Sequence, residues 1–154
     1  MKQNHSSSDL LRFLKANGPI PSGDLVDHFG MSRATLSRRV RELGDAIVRI
    51  GKGRNTRLAA RHDPVNGSVP LYRVGGDGQV ALVGQLTAIR EGAHVQWLLE
   101  PSDAPPALFE GEFRDGLYPG WPWFLEDLRP SGFLGRAFGK RMARLLQIDE
   151  DPEK

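Results

Sequence analysis

The sequence predicts an α+β chain, and three observations carry that prediction. Two short amphipathic runs meet at Gly30, the second crowded with arginine; two strand-like segments separated by a basic, glycine-rich turn come next; and alternating strands then give way to a dense aromatic stretch. In order, Ser6, Ser7 or Ser8 can cap a first helix carrying Leu10, Leu11, Phe13 and Leu14. That helix ends at Asn17-Gly18, with Pro19 forbidding continuation. Ser22 and Ser32 stand where the N-caps of two further helices belong, their hydroxyls able to accept the free N–H groups of a first turn. Gly30 supplies the backbone freedom of a tight turn between them. Leu25 and Phe29 fall four apart in the first run, and Leu36, Val40 and Leu43 keep one helical face in the second, so the two faces pack together.

Gly44 closes the second of these helices, and residues 46–50 have the β-branched content of a strand. A turn of Gly51, Lys52, Gly53, Arg54 and Asn55 leads to a second strand at 56–60. Three helices followed by a basic hairpin make a winged helix-turn-helix, assigned to residues 1–62. The polar stretch with Pro64 and Gly67 fits a linker, placed at 63–70. Residues 71–74, 79–89 and 93–99 read as an antiparallel meander with short hairpins, and Phe109 with Phe113 marks a short further strand after the prolines of 101–106. From Leu134 onward, Phe138, Met142, Leu145 and Leu146 recur at helical spacing while Arg136, Lys140, Arg141 and Arg144 face elsewhere. This predicts a final amphipathic helix. The second unit is therefore a small antiparallel-sheet domain with an aromatic loop and a C-terminal helix over 71–148, followed by an acidic tail at 149–154.

Charge divides along the same line. The chain of 154 residues has a formal net charge of only +2, yet residues 1–62 hold 12 Lys/Arg against 5 Asp/Glu, and residues 63–154 hold 9 against 14. A basic first segment joined to an acidic second one assigns a polyanionic partner to the first alone. The absence of cysteine excludes a disulfide framework and thiolate metal sites and fits a reducing compartment. No run approaches the roughly 20 apolar residues of a membrane span, and the first residues lack the apolar core of a signal peptide. A cytoplasmic protein with no membrane partner is expected.

The arginine-rich run carries the chemistry. In a helix-turn-helix the second helix places its N-terminal end in the DNA major groove. Its outward residues are Arg33, Ser37, Arg38 and Arg41, with Ser32, Ala34 and Thr35 near the entering end. Arg33, Ser37 and Arg38 are suited to base edges, an Arg fork matching O6 and N7 of guanine. Thr35, Arg41 and the wing residues Lys52, Arg54 and Arg57 suit phosphates, which fix register without carrying sequence information. The plainer alternative is a helical bundle whose arginines serve only solubility or a protein contact. Double-stranded DNA is the expected partner. A homodimer on paired half-sites is left open, since no coiled-coil seam specifies one.

Catalytic patterns are poor. Gly135 to Arg141 resembles a phosphate-binding loop, but it is one residue short between the glycines and has Arg141 where a Mg²⁺-binding hydroxyl is required. His5, His28, His62 and His94 are scattered without ligand spacing, residues 75–78 read as a turn, and Glu126 and Asp127 as a solvated face. No catalytic residue, metal or cofactor is expected.

The Trp-Pro-Trp-Phe segment reads in two compatible ways: as core filling for a small domain, or in part as a docking face. The interface candidates are Trp121, Trp123, Phe124, Leu125, Arg129 and Phe133. Residues 120–136, and above all the run Leu-Arg-Pro-Ser-Gly-Phe-Leu-Gly-Arg, preceded by a winged helix and a strand meander, resemble the N-terminal part of HipA-type toxin kinases. The likeness is to the YjjJ-like branch, which begins with its own DNA-binding unit. The resemblance implies an accessory region that packs on a two-lobed serine/threonine kinase. The kinase's phosphate-gripping lysine, catalytic loop and magnesium-binding motif have no counterpart here, so non-enzymatic function is expected. The same family includes systems in which a small protein resembling this N-terminal subdomain is separate from the kinase and neutralises it. The resemblance thus implies a DNA-binding regulator or antitoxin-like component that contacts a HipA-like kinase. The alternative is a non-catalytic N-terminal regulatory fragment of such a kinase toxin.

Overall fold

In the computed structural model, which describes residues 6–62, 67–108, 113 and 115–128, helix α1 (Ser7–Asn17) begins on a capping box. The Ser6 hydroxyl accepts the Asp9 N–H at 3.2 Å while the Asp9 carboxylate accepts the Ser6 N–H at 2.8 Å, so two otherwise free donors are satisfied. The helix stops at Gly18, whose positive φ of 75° turns the chain, and whose N–H bonds the Leu14 carbonyl. A two-residue strand β1 (Ile20–Pro21) follows, then α2 (Ser22–His28) and α3 (Arg33–Leu43). Leu10, Leu14, Leu25, Phe29 and Leu36 from the three helices close on Leu58 and Ala60 of the sheet to form the first core.

Ser32 caps α3 as expected, its hydroxyl accepting the Thr35 N–H at 3.1 Å. Ser22 does not cap α2. It is the first helical residue, the cap position is Pro21, and no side chain bonds the first turn. The cause lies in the sheet: Pro21 pairs with Arg57, and the Ser22 N–H is drawn to the Thr56 carbonyl at 2.9 Å.

The wing is the hairpin of β2 (Ile47–Ile50) and β3 (Arg57–Ala60), with Ile47 opposite Ala60 and Ile50 opposite Arg57. With β1 it makes a three-stranded antiparallel sheet in the order β1-β3-β2. Strand alternation gives this sheet two apolar faces: Leu58 and Ala60 meet the helices, while Val48, Ile50 and Ala59 meet Ile89 and Leu117 of the second sheet. Arg61 forms an antiparallel bridge to Ile89, and the His62 N–H bonds the Ala88 carbonyl at 2.8 Å.

The second sheet runs β4 (Val69–Val74), β5 (Val80–Ile89), β6 (Gly92–Trp97) and β7 (Leu117–Pro119), antiparallel and in that order. Its core is Leu86, Ala93, Val95 and Tyr118, closed by Trp97, Phe113, Phe124 and Leu125. Fold class is therefore α+β. Two expectations need correction. Strand β4 starts at Val69, not Leu71, because Val69 pairs with Leu86 and the neighbouring Ser68 hydroxyl meets that of Thr87 at 2.7 Å; the expected linker at 63–70 thus loses its last two residues to the sheet. The further strand forms at Leu117–Pro119, where it pairs with Gly92–His94, and Phe113 is instead a side chain stacked on Tyr118 at 4.8 Å. Phe109, the helix expected from Leu134 and the acidic tail at 149–154 lie outside the described residues.

Candidate nucleic-acid interface

Helical spacing arranges the outer surface of α3. Leu36 and Arg39 are buried on one side, while Arg33, Ala34, Ser37, Arg38 and Arg41 are exposed along the opposite arc. At its entering end the Ser32 and Thr35 hydroxyls lie 3.0 Å apart within the cap, so their chemistry serves the helix start. The N–H groups of that first turn favour an approaching anion. Arg38 meets Glu42 at 3.8 Å in an exposed pair one turn apart, a contact weak enough to yield to a phosphate or base. Among the described residues, Arg33, Arg41, Lys52, Arg54 and Arg57 form no ion pair.

Recognition helix and wing share a groove of about 260 Å³. Arg33, Ser37 and Val40 line it from α3, and Arg49, Arg54 and Thr56 from the hairpin. Sequence reasoning missed Arg49. The strand alternation that turns Val48 and Ile50 to the second sheet puts Arg49 on the helix-side face with Ile47, and that signal was present in the residues. Lys52 and Arg54 stand exposed in the wing loop, where Gly51 and Gly53 both take positive φ. Arg57 is exposed at the start of β3 and, with Arg54 and Asn55, borders a hollow of about 330 Å³ whose far wall is Asp115 and Leu117. Arg39 departs from its neighbours: it is buried, and its Nη1 has no hydrogen-bond partner among the described residues.

The aromatic segment divides. Trp121 and Trp123 are each 49% exposed, with the Trp121 indole donating to the Leu125 carbonyl at 2.9 Å. Phe124 and Leu125 turn inward, Phe124 lying 5.3 Å from the Trp97 ring and 5.5 Å from Tyr118. Of the expected interface residues, the two indoles are open, while Phe124 and Leu125 are half-buried against the second core. Arg129 and Phe133 lie outside the described residues. Two groups in the second sheet have shifted proton affinities. Burial holds the His94 imidazole below its usual value, a bond to the Asp115 backbone and that residue's charge opposing the shift. Burial likewise raises the Tyr118 phenol, whose hydroxyl donates to the Leu108 carbonyl at 3.2 Å. No described helix is long and apolar enough to cross a membrane.

Comparison with known proteins agrees with both parts of this architecture. Residues 3–46 match the winged helix-turn-helix DNA-binding family, and residues 65–154 match the YjjJ-like toxin middle domain. The chain is 34% identical over 141 residues to Toxin YjjJ of Escherichia coli (strain K12). The match covers 90% of this chain and 29% of that relative, so the chain spans less than a third of its length. No solved structure matches. The helix-turn-helix within the first match and the strand meander within the second, which spans more than half of the chain, leave one assignment: the chain belongs to the YjjJ-like toxin family.

Proposed function

We propose that the chain is a DNA-binding transcriptional regulator with an antitoxin-like role in a HipA-type toxin–antitoxin system. It holds operator DNA through the winged helix and contacts a HipA-like kinase through the second sheet. One observation carries the DNA half: Arg33 and Ser37 of α3 share a single open groove with Arg49 and Arg54 of the wing, so base-reading and phosphate-binding groups face the same ligand. In this reading α3 lies in the major groove, with Ser32, Arg33, Ala34 and Thr35 at the entering end and Ser37, Arg38 and Arg41 along the outer arc. Lys52, Arg54 and Arg57 hold the flanking backbone. The kinase half is supported by the match of residues 65–154 to a toxin family and by the exposed indoles of Trp121 and Trp123. The chain performs no chemistry of its own in this scheme.

Selection of bound duplexes from a random library, followed by a salt titration on the enriched sequence, tests the DNA half. An enriched motif whose affinity falls steeply with salt is expected. Failure to enrich any sequence, or binding indifferent to salt, would end this reading. Recovery of a kinase by the tagged chain from cells carrying the native operon, abolished by Trp121→Ala with Trp123→Ala, tests the other half.

A second reading has its own support. The match covers 90% of this chain but 29% of Toxin YjjJ, which favours the same unit acting in cis as the non-catalytic regulatory part of a longer HipA-family serine/threonine kinase toxin. An in-frame kinase sequence directly downstream of the coding region would select it.

A further inference from the structure

A broad hollow of about 900 Å³ lies where the wing sheet meets the second sheet, away from the outer arc of α3. Arg49 and Lys52 line it from the wing, Arg61 from the junction, and Thr87, His94 and Gln96 from the second sheet. Its polar groups are poorly matched within the protein itself. Among the described residues the buried Arg61 Nε has no hydrogen-bond partner, and none of Arg49, Lys52 and Arg61 forms an ion pair. A buried guanidinium N–H without an acceptor is costly, and an oxyanion supplies acceptors directly. Asp45 and Asp115 also line the hollow, so three cations face two carboxylates. That balance suits a small ligand with one anionic group rather than a long polyanion. The side-chain amides of Gln85 and Gln96 are available for the remainder of the molecule, and the volume suits one of nucleotide size.

We propose that this cleft binds a small phosphorylated ligand, and that ligand and DNA compete for Arg49 and Lys52. Arg49 stands on the outer edge of β2 and borders both the cleft and the groove beside α3. Lys52, one of the wing cations assigned to DNA phosphates, lines the cleft as well. Drawing either side chain into the cleft removes a cation from the DNA face, and linkage requires DNA to weaken the ligand by the factor by which the ligand weakens DNA. The coupling, though not the site, rests on the DNA-binding reading above.

The test uses the full chain, with inorganic phosphate, ribose 5-phosphate and adenosine monophosphate as probes, by calorimetry without DNA. Binding of at least one probe is expected, and the ranking of the three distinguishes free phosphate from a phosphorylated metabolite. Arg61→Met and Gln96→Ala should each weaken it at least tenfold; Gln96 is an exposed strand residue, so that variant tests the site even if Arg61→Met fails to fold. Arg41→Ala, on the outer arc of α3, should leave ligand binding unchanged. Absence of binding by all three probes at millimolar concentration, or unchanged binding in Gln96→Ala and in folded Arg61→Met, overturns the site. In a second arm the bound probe should lower DNA affinity and flatten its salt dependence by about one to two phosphate contacts. A ligand that binds but leaves DNA affinity unaltered overturns the competition alone. Failure to bind DNA in the absence of ligand counts against the proposed function and leaves the calorimetric result standing.

Discussion

Arg61, the residue directly after the wing, is the antiparallel partner of Ile89, the last residue of the longest strand in the second sheet. Ile89 is 3% exposed and packs on Val48, Ile50 and Ala59 of the wing sheet, so a side chain of the second sheet is buried in the apolar cluster of the first. A backbone bridge reinforced by a shared apolar cluster should make the two parts unfold together. Two probes follow the two parts, since among the described residues the α-helices, α1, α2 and α3, all precede residue 44, and all three tryptophans, Trp97, Trp121 and Trp123, come after the wing. Helical circular dichroism and tryptophan fluorescence should therefore melt at one temperature. Ile89→Ala should lower both transitions together, by about 2–5 kcal/mol. Two separated transitions in the unsubstituted chain would show that the contact contributes little.

The two serines expected to cap the helix pair predict opposite outcomes. Ser32→Ala removes the acceptor of the Thr35 N–H and should cost about 1 kcal/mol in denaturant unfolding. Ser22→Ala should be close to neutral, because the Ser22 side chain caps nothing and its N–H remains bonded to the Thr56 carbonyl. Equal losses would mean that α2 is capped in solution in a way this structure does not contain.

Gly116 is the residue that permits β7. Its φ of +69° is unfavourable for any side chain, its carbonyl accepts the Val95 N–H at 2.7 Å, and an added Cβ would collide with the Val95 carbonyl oxygen. Gly116→Ala should destabilise by more than about 1 kcal/mol, and the buried Tyr118 should lose its place against Phe113 and Phe124. Gly76→Ala, in open space without a positive φ, is the matched control and should leave the melting temperature unchanged.

These cases explain which parts of the molecule the sequence disclosed. Ser6 with Asp9, Ser32 with Thr35, and the Leu36–Val40 spacing all act within one or two helical turns, so the helical half was readable from adjacent residues. Strand β1 was not, because two residues make a strand only by lying beside Arg57 and Leu58, far along the chain. The displacement of the last strand from Phe113 to Leu117 has the same origin: its partners are Gly92, Ala93 and His94. The site divides similarly. Arg33, Ser37, Arg38 and Arg41 followed from helical period alone, whereas the opposite orientations of Trp121 and Phe124 depend on rings at Trp97 and Tyr118. Arg49 was legible from the strand alternation at 47–50, which sets it opposite Leu58 and not with Val48 and Ile50.

His94 gives a pH dependence of definite sign. Burial depresses its proton affinity below the ordinary 6.5, so as pH falls through that value the unfolded chain binds the proton first. The stability contributed by the neutral imidazole is fully present above about pH 6.5 and declines below it, until the folded protein is protonated too. His94→Gln should therefore flatten the fall in melting temperature between pH 7.5 and pH 5.5 while leaving a similar melting temperature at the upper end. A fall as steep as that of the unsubstituted chain would assign the acid sensitivity to other groups.

Arg38 and Lys52 separate sequence reading from backbone holding. Arg38 lies on the outer arc of α3 and among the described residues pairs only with Glu42, at 3.8 Å, whereas Lys52 stands in the wing loop among glycines. If the helix reads bases, removing the Arg38 fork should cost about 1–3 kcal/mol on the selected duplex and much less on a random one, with specificity relaxing at a single position. Removing Lys52 should weaken both duplexes by the same factor and lower the slope of log affinity against log salt by about one. Titrations of both variants against both duplexes at two salt concentrations measure all four quantities. Arg38→Ala and Lys52→Ala losing affinity in equal proportion on the two duplexes would leave α3 holding phosphate only, and the specificity of the protein would then have to come from the shape of its target.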